Sequence, residues 1–262
     1  MGVFRSIVLL TKTLPSLHVG YVQSNLEAHG FVFSGADDAE NFIVGEDEIF
    51  IVKLAGENLF MIRLLTGSYW GMESFESFAA TPEVQDNPAL RESMKAAEGA
   101  ILIDPHLVDN GPSTALYLSK LAAALMTSET SVMLVPPSWK ASPVTAQLQS
   151  ALMSAGTAAD LVPHLLNVHI AAGTGDSFWC FVLGMHLFDL PDLGTHCTAD
   201  DLETTQAVLQ SHAMYVVQRG EAVPVGDTFT VPGMGDYRVT EPDFDPSPHA
   251  AFGAVGIRRA DA

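Results

Sequence analysis

Apolar residues recur along the chain with two periods, one typical of strands and one typical of helices. A short β-rich run covers Ser6–Lys12, and apolar residues alternate with polar ones through much of Asn41–Leu65. Polar stretches led by glycine interrupt this second segment at 45–47 and 56–58 and predict turns. The segment is therefore predicted to be a meander of strands. Further strands are predicted at 31–36, 100–106 and 132–136.

Helices are predicted where a capping residue, often followed by proline, precedes apolar residues at helical spacing. Asn87-Pro88 and Ser142-Pro143 carry this signal most clearly, and Thr198 followed by Asp201 resembles a capping pair. Gly30 and Gly220 stand where helices are expected to end. The predicted helices span residues 15–29, 87–98, 113–129, 142–156 and 198–219.

The last third of the chain is predicted to contain two pairs of strands followed by a tail. Two strands within 165–185 flank the turn Gly173–Asp176, and Val225–Glu241 is predicted to be a hairpin. From Pro242 onward the chain is rich in proline, alanine and glycine, and we expect it to be loosely attached.

The order of these elements predicts the fold class. Two β-α-β units, around 6–35 and 100–136, have a similar layout, and the meander adds antiparallel strands. We predict an α+β (mixed α/β) fold with a largely antiparallel sheet and helices packed on one face. The predicted division is an N-terminal half at 1–136, a C-terminal half at 137–241 and a tail at 242–262.

Composition limits the classes of function. Of 262 residues, 48% are hydrophobic, which is enough for a sizeable core and excludes disorder as the main state. The 31 acidic and 12 basic residues give a formal charge of −19, which repels phosphate backbones and anionic lipid. Nucleic acid and membranes are therefore not expected as partners, and a basic protein or a cation is the better electrostatic match. The alternative is that the acidic residues only confer solubility.

The chain shows no targeting signal. Lys12 interrupts the first apolar run, no cleavage pattern follows it, and no stretch has the about eighteen apolar residues of a spanning helix. The two cysteines, Cys180 and Cys197, do not form the framework of a secreted domain. We expect reduced thiols and a cytoplasmic location.

The stretch from Gly184 to Thr205 concentrates histidine, cysteine and carboxylate side chains. A zinc site needs closely spaced ligands, which Cys180 and Cys197 do not provide, so neither a metal nor a cofactor is predicted. Cys197 lies before a predicted helix, where a thiol is activated, and His186 or His212 is available as a base. No glycine-rich nucleophile loop accompanies it, so packing and capping roles are the favoured interpretation.

A second candidate pair is Asp104 and His106 at the end of a predicted strand. Residues two apart in a strand point to the same side, and sites in sheet proteins often lie at strand ends. Asp104-Pro105 is also an ordinary strand terminator, which is the favoured interpretation. The turn Gly173–Asp176 lacks the further glycine or lysine of a phosphate-binding loop.

Three segments of the C-terminal third are similar to segments of a known protein family. They are GMHLFDLPDL at 184–193, HAMYVVQRG at 212–220 and VGDTFTVPG at 225–233. With them, residues of about 165–240 resemble a bacterial family of uncharacterised proteins, domain of unknown function 4261. The resemblance implies no established activity and transfers no catalytic residues.

Three hypotheses about function follow. The leading one is a non-enzymatic, acidic binding protein, most concretely an immunity or adaptor protein in bacterial competition. The second is a hydrolase or transferase that uses Asp104, His106, His186 or Cys197. The third is a structural subunit of a homo-oligomer.

Overall fold

A computed structural model describes residues 5–13, 19–32, 42–46, 49–54, 58–66, 78–107, 112–243 and 253–260. Within these residues the strands form two sheets, one built from the first part of the chain and one from the last. The predicted class, mixed α+β with largely antiparallel strand pairing, is confirmed. The prediction of one sheet with helices on one face is wrong, because the strands form two sheets and helices pack on both faces of the first.

The first sheet has seven strands in the order β2-β3-β4-β5-β1-β6-β7 among the described residues, and neighbouring strands are antiparallel. The predicted meander forms β2–β4. Strand β1 is buried along its whole length because β5 and β6 flank it and both its faces are covered. The strands are β1 (Ile7–Thr11), β2 (Phe42–Glu46), β3 (Ile49–Leu54), β4 (Asn58–Thr66), β5 (Gly99–Leu107), β6 (Thr130–Val135) and β7 (Lys140–Pro143).

The second sheet has six strands in the order β11-β12-β13-β10-β9-β8 within the same described ranges. Four of its five pairings are antiparallel, and β13 runs parallel to β10. The strands are β8 (Asn167–Ala172), β9 (Ser177–Leu183), β10 (Asp192–Thr198), β11 (Thr228–Val231), β12 (Gly235–Thr240) and β13 (Ala254–Arg259).

Helices cover these sheets. They are α1 (Val19–Ala28), α2 (Pro82–Gln85), α3 (Pro88–Lys95), α4 (Pro112–Leu125), α5 (Ala146–Ser154), α6 (Val162–Leu165) and α7 (Leu202–Arg219). Asn87 caps α3 as predicted, with its side-chain oxygen accepting from the Leu90 N–H at 3.1 Å. Gly220 ends α7 in the left-handed conformation, also as predicted.

One large cluster of buried apolar side chains joins the two sheets. It includes Ile62 of the first sheet, Leu118 of α4, Val182 of the second sheet and Leu209 of α7. A smaller cluster on the opposite face of the first sheet packs residues such as Leu10 against α2 and α3. Residues of both sheets therefore share one core, and the candidate site described below packs against it.

Two helix starts differ from the prediction. Ser142 and Pro143 belong to β7, an edge strand, where a proline without an N–H is tolerated. Helix α5 instead begins after Thr145, whose hydroxyl oxygen accepts from the Leu148 N–H at 3.1 Å. Thr198 is not the cap of α7 either, because it pairs with Ser177 as the last residue of β10. Asp201 takes the capping position.

The prediction of a loosely attached tail is wrong for Ala254–Arg259. These residues form β13, which inserts between β10 and β12, and Ile257 is buried in the shared core. The first sheet likewise extends past the predicted boundary at residue 136, since β7 pairs with β6. Of the strand predicted at 31–36, Phe31 and Val32 are not in a strand, and 33–36 lie outside the described residues.

Candidate functional site

The loop between β9 and β10 holds most of the polar residues that the sequence singled out. The chain leaves β9 at Gly184, makes a short helical turn over Met185–Phe188 and enters β10 at Asp192. The Asp192 carboxylate accepts from the Met185 N–H at 3.0 Å and also from the Gly184 N–H. Asp192 therefore closes the loop by binding the first backbone N–H groups of the turn.

Gly184 allows this loop to pack against the first sheet. Its φ of +89° lies in the left-handed region, and a Cβ there would approach the Ser138 Cβ to 2.7 Å. Ser138 is itself fixed, because its hydroxyl donates to the Leu165 carbonyl oxygen at 2.5 Å. The glycine that leads the GMHLFDLPDL segment is therefore a packing requirement.

The same loop carries two charged side chains with structural partners. Asp189, at a φ of +61°, forms an ion pair with Arg5, whose side chain is only 4% exposed. Burial raises the pKa of Asp192 to about 7, and the N–H groups of Met185 and Gly184 oppose that rise only in part. Asp192 thus positions backbone, and Asp189 binds the buried Arg5 side chain.

Two histidines, His186 and His212, are also buried. His186 is 1% exposed within the helical turn, and His212 is 2% exposed on α7. The His212 ring lies 4.0 Å from that of Phe229, and burial lowers the pKa of His212 to about 4. His212 is therefore neutral at physiological pH and packs as an aromatic residue.

Cys180 and Cys197 face each other from neighbouring strands, β9 and β10. Their Sγ atoms are 3.7 Å apart, and both thiols are free and buried. Burial raises the pKa of Cys180 to about 12, and the neighbouring thiol contributes to the rise. A thiol in such surroundings is poorly ionised, which favours the packing role predicted for Cys180.

Asp104 and His106 are separated by a local irregularity of β5. The Asp104 carboxylate accepts from the Arg63 guanidinium on β4 at 2.5 Å. Phe60 pairs with Pro105 whereas Leu59 pairs with Leu107, so His106 is the extra residue of a β-bulge. The regular alternation that predicted a shared side for Asp104 and His106 does not hold there.

One cavity lies between the N-terminal half of α7 and the ends of β10 and β13. Its volume is about 450 Å³, within the range of small-molecule sites. Apolar side chains of Val208 and Ile257 line it together with polar ones, among them Thr204, Arg258 and Arg259. Of the four predicted catalytic candidates, all of which are described, only Cys197 borders this cavity.

A smaller cavity of about 200 Å³ lies between the sheets. It is lined by an ion pair between Lys140 and Glu83, 3.4 Å apart, and by residues of α6 and α7. His169 lies nearby and donates from Nε2 to the Ser138 carbonyl oxygen at 2.6 Å. This hydrogen bond gives the imidazole a structural role.

The sequence-based reasoning missed most of the residues that line the larger cavity, although it singled out Cys197 and Asp201. Thr204 and Thr205 were expected only as part of a helix, and Arg258 and Arg259 were part of the predicted tail. The one available signal was a pair of adjacent arginines in a chain with only 12 basic residues.

Metal and membrane signals are absent from the described part of the chain. No group of three or more histidine, cysteine or carboxylate side chains is placed to hold a metal ion there. None of the helices in those ranges is long and apolar enough to cross a membrane.

Gly173–Asp176 is a hairpin turn in which the Gly173 N–H donates to the Ser177 carbonyl oxygen at 2.9 Å.

Comparison of the chain with protein-family models, with curated proteins and with solved structures found no match. The resemblance of residues 165–240 to domain of unknown function 4261 therefore stays a prediction. Function has to be argued from the charges, contacts and cavities of this chain.

Proposed function

We propose that this protein is a non-enzymatic binding protein whose acidic surface recognises a basic protein. The observation that carries the proposal is the formal charge of −19 on an ordered fold with a large shared core. Opposite charges accelerate the encounter of two proteins and select the partner more than they tighten the final complex. An immunity or adaptor protein in bacterial competition is the most concrete form of this function.

The pairing of the basic residues supports the proposal. In the part of the chain that the structure describes, six of the 12 lysines and arginines form ion pairs with carboxylates: Arg5, Arg63, Lys95, Lys140, Arg219 and Arg258. The acidic residues outnumber the basic ones by 19, so most carboxylates have no basic counterpart within the chain. A basic partner supplies the missing charges.

The start of α7 is the surface that we expect to contribute most. Asp200, Asp201 and Glu203 are exposed within four consecutive positions. Closely spaced exposed charges produce a stronger local potential than the same number scattered over the surface. This surface does not include Asp104, His106 or His186, three of the four residues that the enzymatic alternative names. The fourth, Cys197, lines the same cavity as Asp201.

The experiment isolates the partner and then measures the rate of association. The protein is used as bait in extracts of its host at about 50 mM and about 500 mM salt, where screening differs strongly. A captured basic protein is purified and its association measured by stopped flow. We expect the association rate constant to fall at least about tenfold at the higher salt.

Matched variants locate the effect. Combined replacement of Asp200, Asp201 and Glu203 by their amides should slow association more than the same treatment of Asp86, Glu98 and Glu129, which are exposed and far apart in the sequence. A partner whose association is insensitive to salt and to both sets of variants would contradict the proposal, as would recovery of no partner.

A further inference from the structure

The smaller cavity, of about 200 Å³, has an apolar wall. Leu166, Val182 and Ala213 contribute to this wall and are buried. Gln210 and Met214 of α7 also line the cavity and are exposed, so the cavity opens to solvent beside α7. Its volume is below the about 300 Å³ at which small-molecule sites begin, and it suits a single apolar side chain.

The charged residues of this cavity do not select an anion. Lys140 and Glu83 both line it and form an ion pair with each other at 3.4 Å. Their charges offset each other locally, so the cavity favours an uncharged group. Asn167 and Gln210 add side-chain amides, which both donate and accept and are able to bind the backbone of a peptide.

The acidic residue Glu203 lies on the same side of α7 as the cavity. Gln210 and Met214 follow it by seven and eleven positions, which are close to two and three turns of an α-helix. All three residues are exposed, whereas Leu209 and Val216 of α7 are buried. At a rise of about 1.5 Å per residue, Glu203 lies about 10 to 16 Å along α7 from the residues at the cavity entrance.

This arrangement favours a basic segment that carries an apolar residue. An extended chain advances about 3.3 Å per residue, so about three to five residues span the distance from the cavity to Glu203. An acidic segment, or a second copy of this chain with its charge of −19, would be repelled by Glu203 and by the neighbouring Asp200 and Asp201. Charge complementarity therefore assigns the cavity to a partner of opposite charge.

We propose that this cavity receives one apolar side chain from an extended basic segment of the partner protein, and that a lysine or arginine about three to five residues away contacts Glu203. This docking mode rests on the proposed recognition of a basic protein and specifies where such a partner binds. Electrostatic recognition does not require the cavity, so the two are tested separately.

The probes are synthetic glycine-serine peptides with one leucine or phenylalanine and two adjacent lysines, placed at a series of spacings on either side of the apolar residue. Each peptide is titrated into the full chain and followed by two-dimensional NMR. We expect saturable shifts of the Val168, Gln210 and Met214 backbone signals. Binding should be tightest at a spacing of about three to five residues. Replacing the apolar residue by serine should weaken binding at least about tenfold.

Two pairs of variants locate the binding site on the protein. Met214 and Tyr215 are 44% and 42% exposed on α7, and of these two only Met214 lines the cavity. Met214→Ala should weaken binding at least about threefold, whereas Tyr215→Ala should leave it unchanged. Gln210→Trp should obstruct the entrance, whereas Ser211→Trp, at the next exposed position, should not. Thermal unfolding verifies that each variant is folded.

Glu203→Gln tests the charged contact. It should weaken binding of the tightest lysine peptide about two- to fivefold and leave the matching peptide with glutamine in place of lysine unaffected. The loss should be largest at the preferred spacing, because general attraction to an acidic protein does not depend on the distance between the lysines and the apolar residue.

Three results would overturn this docking mode. The first is the lack of saturable shifts with every peptide. The second is binding that requires the lysines but not the apolar residue, which would leave electrostatic recognition of a basic partner intact. The third is binding that requires the apolar residue but is insensitive to lysine spacing and to Glu203→Gln. Failure of the proposed function is distinct, because it would appear as a captured partner whose association is insensitive to salt.

Discussion

The guanidinium of Arg5 forms an ion pair with the carboxylate of Asp189, 184 positions away in the sequence. Arg5 precedes β1 in the centre of the first sheet, whereas Asp189 ends the helical turn that leads into β10 of the second. The side chain of Arg5 is 4% exposed and that of Asp189 is 19% exposed. The two sheets are therefore joined by a buried charge pair in addition to their shared apolar core.

Removing the acidic partner of this pair should be strongly destabilising. Asp189→Asn leaves the buried Arg5 charge without its carboxylate, and we expect a loss of about 3 kcal/mol in the free energy of unfolding. Asparagine also tolerates the left-handed backbone at this position, so strain should contribute little. Urea unfolding measures the loss. The control is Arg5→Met, which removes the more deeply buried charge and leaves the Asp189 carboxylate, which is 19% exposed and therefore partly hydrated. Arg5→Met should cost less, and the opposite order would contradict the interpretation.

Gly184→Ala should be more destabilising than an ordinary glycine substitution. Gly184 and Gly30 have nearly the same φ, +89° and +87°. A Cβ at Gly184 would lie 2.7 Å from the Ser138 Cβ, whereas one at Gly30 would meet no atom within 4 Å. We expect Gly30→Ala to lower the free energy of unfolding by about 1 kcal/mol and Gly184→Ala by at least about 2 kcal/mol more. Equal losses would show that the contact with Ser138 is unimportant.

Asp192 should make the protein less stable as the pH rises. Its folded pKa of about 7 exceeds the ordinary value of 3.8, so the folded state binds the proton more tightly between these values. Stability should therefore fall as the pH rises from about 4 to about 7. Asp192→Asn retains an oxygen that accepts from the Met185 N–H and cannot ionise.

The stability of Asp192→Asn relative to the unmodified protein should increase by a few kcal/mol between about pH 4 and about pH 8. Urea unfolding at several pH values measures this difference. Asp200→Asn, which changes an exposed carboxylate, serves as the control for the loss of one negative charge. A constant difference for Asp192→Asn would contradict the raised pKa.

His212 should make the protein less stable as the pH falls. Its folded pKa of about 4 is below the ordinary value of 6.5, so only the unfolded state binds the proton readily between these values. Stability should fall as the pH decreases from about 6.5 to about 4. His212→Phe retains an aromatic ring beside Phe229 and should remove this contribution. His106→Gln, at an exposed position, is the control, and matching pH profiles for the two variants would argue against burial as the cause.

Local signals in the sequence predicted much of the fold. The cap at Asn87, the end of α7 at Gly220 and the meander β2–β4 depend on neighbouring residues and were predicted from them. Ser142-Pro143 was misinterpreted because a proline is compatible both with a helix start and with an edge strand. Only the pairing of β7 with β6, which is a tertiary contact, decides between them.

Nonlocal pairing was much harder to predict. Strand β13 follows a segment rich in proline and alanine, and its partners β10 and β12 are fixed by the sheet and not by adjacent residues. The cavity was missed for the same reason, because its walls come from α7, β10, β12 and β13. The general expectation that polar residues of the 184–205 stretch shape the backbone fits Asp192, which binds the Met185 N–H, whereas Asp189 forms an unpredicted ion pair with Arg5.

The position of β13 also determines when the second sheet can be completed. Hairpins β8–β9 and β11–β12 join neighbouring segments and are able to form while the chain is still being synthesised. Strands β10 and β12 gain their common neighbour only after Ala254–Arg259 has left the ribosome. Until then each strand has an unpaired edge that can pair with another nascent chain. The risk of aggregation, and the need for a chaperone, is therefore greatest during this interval.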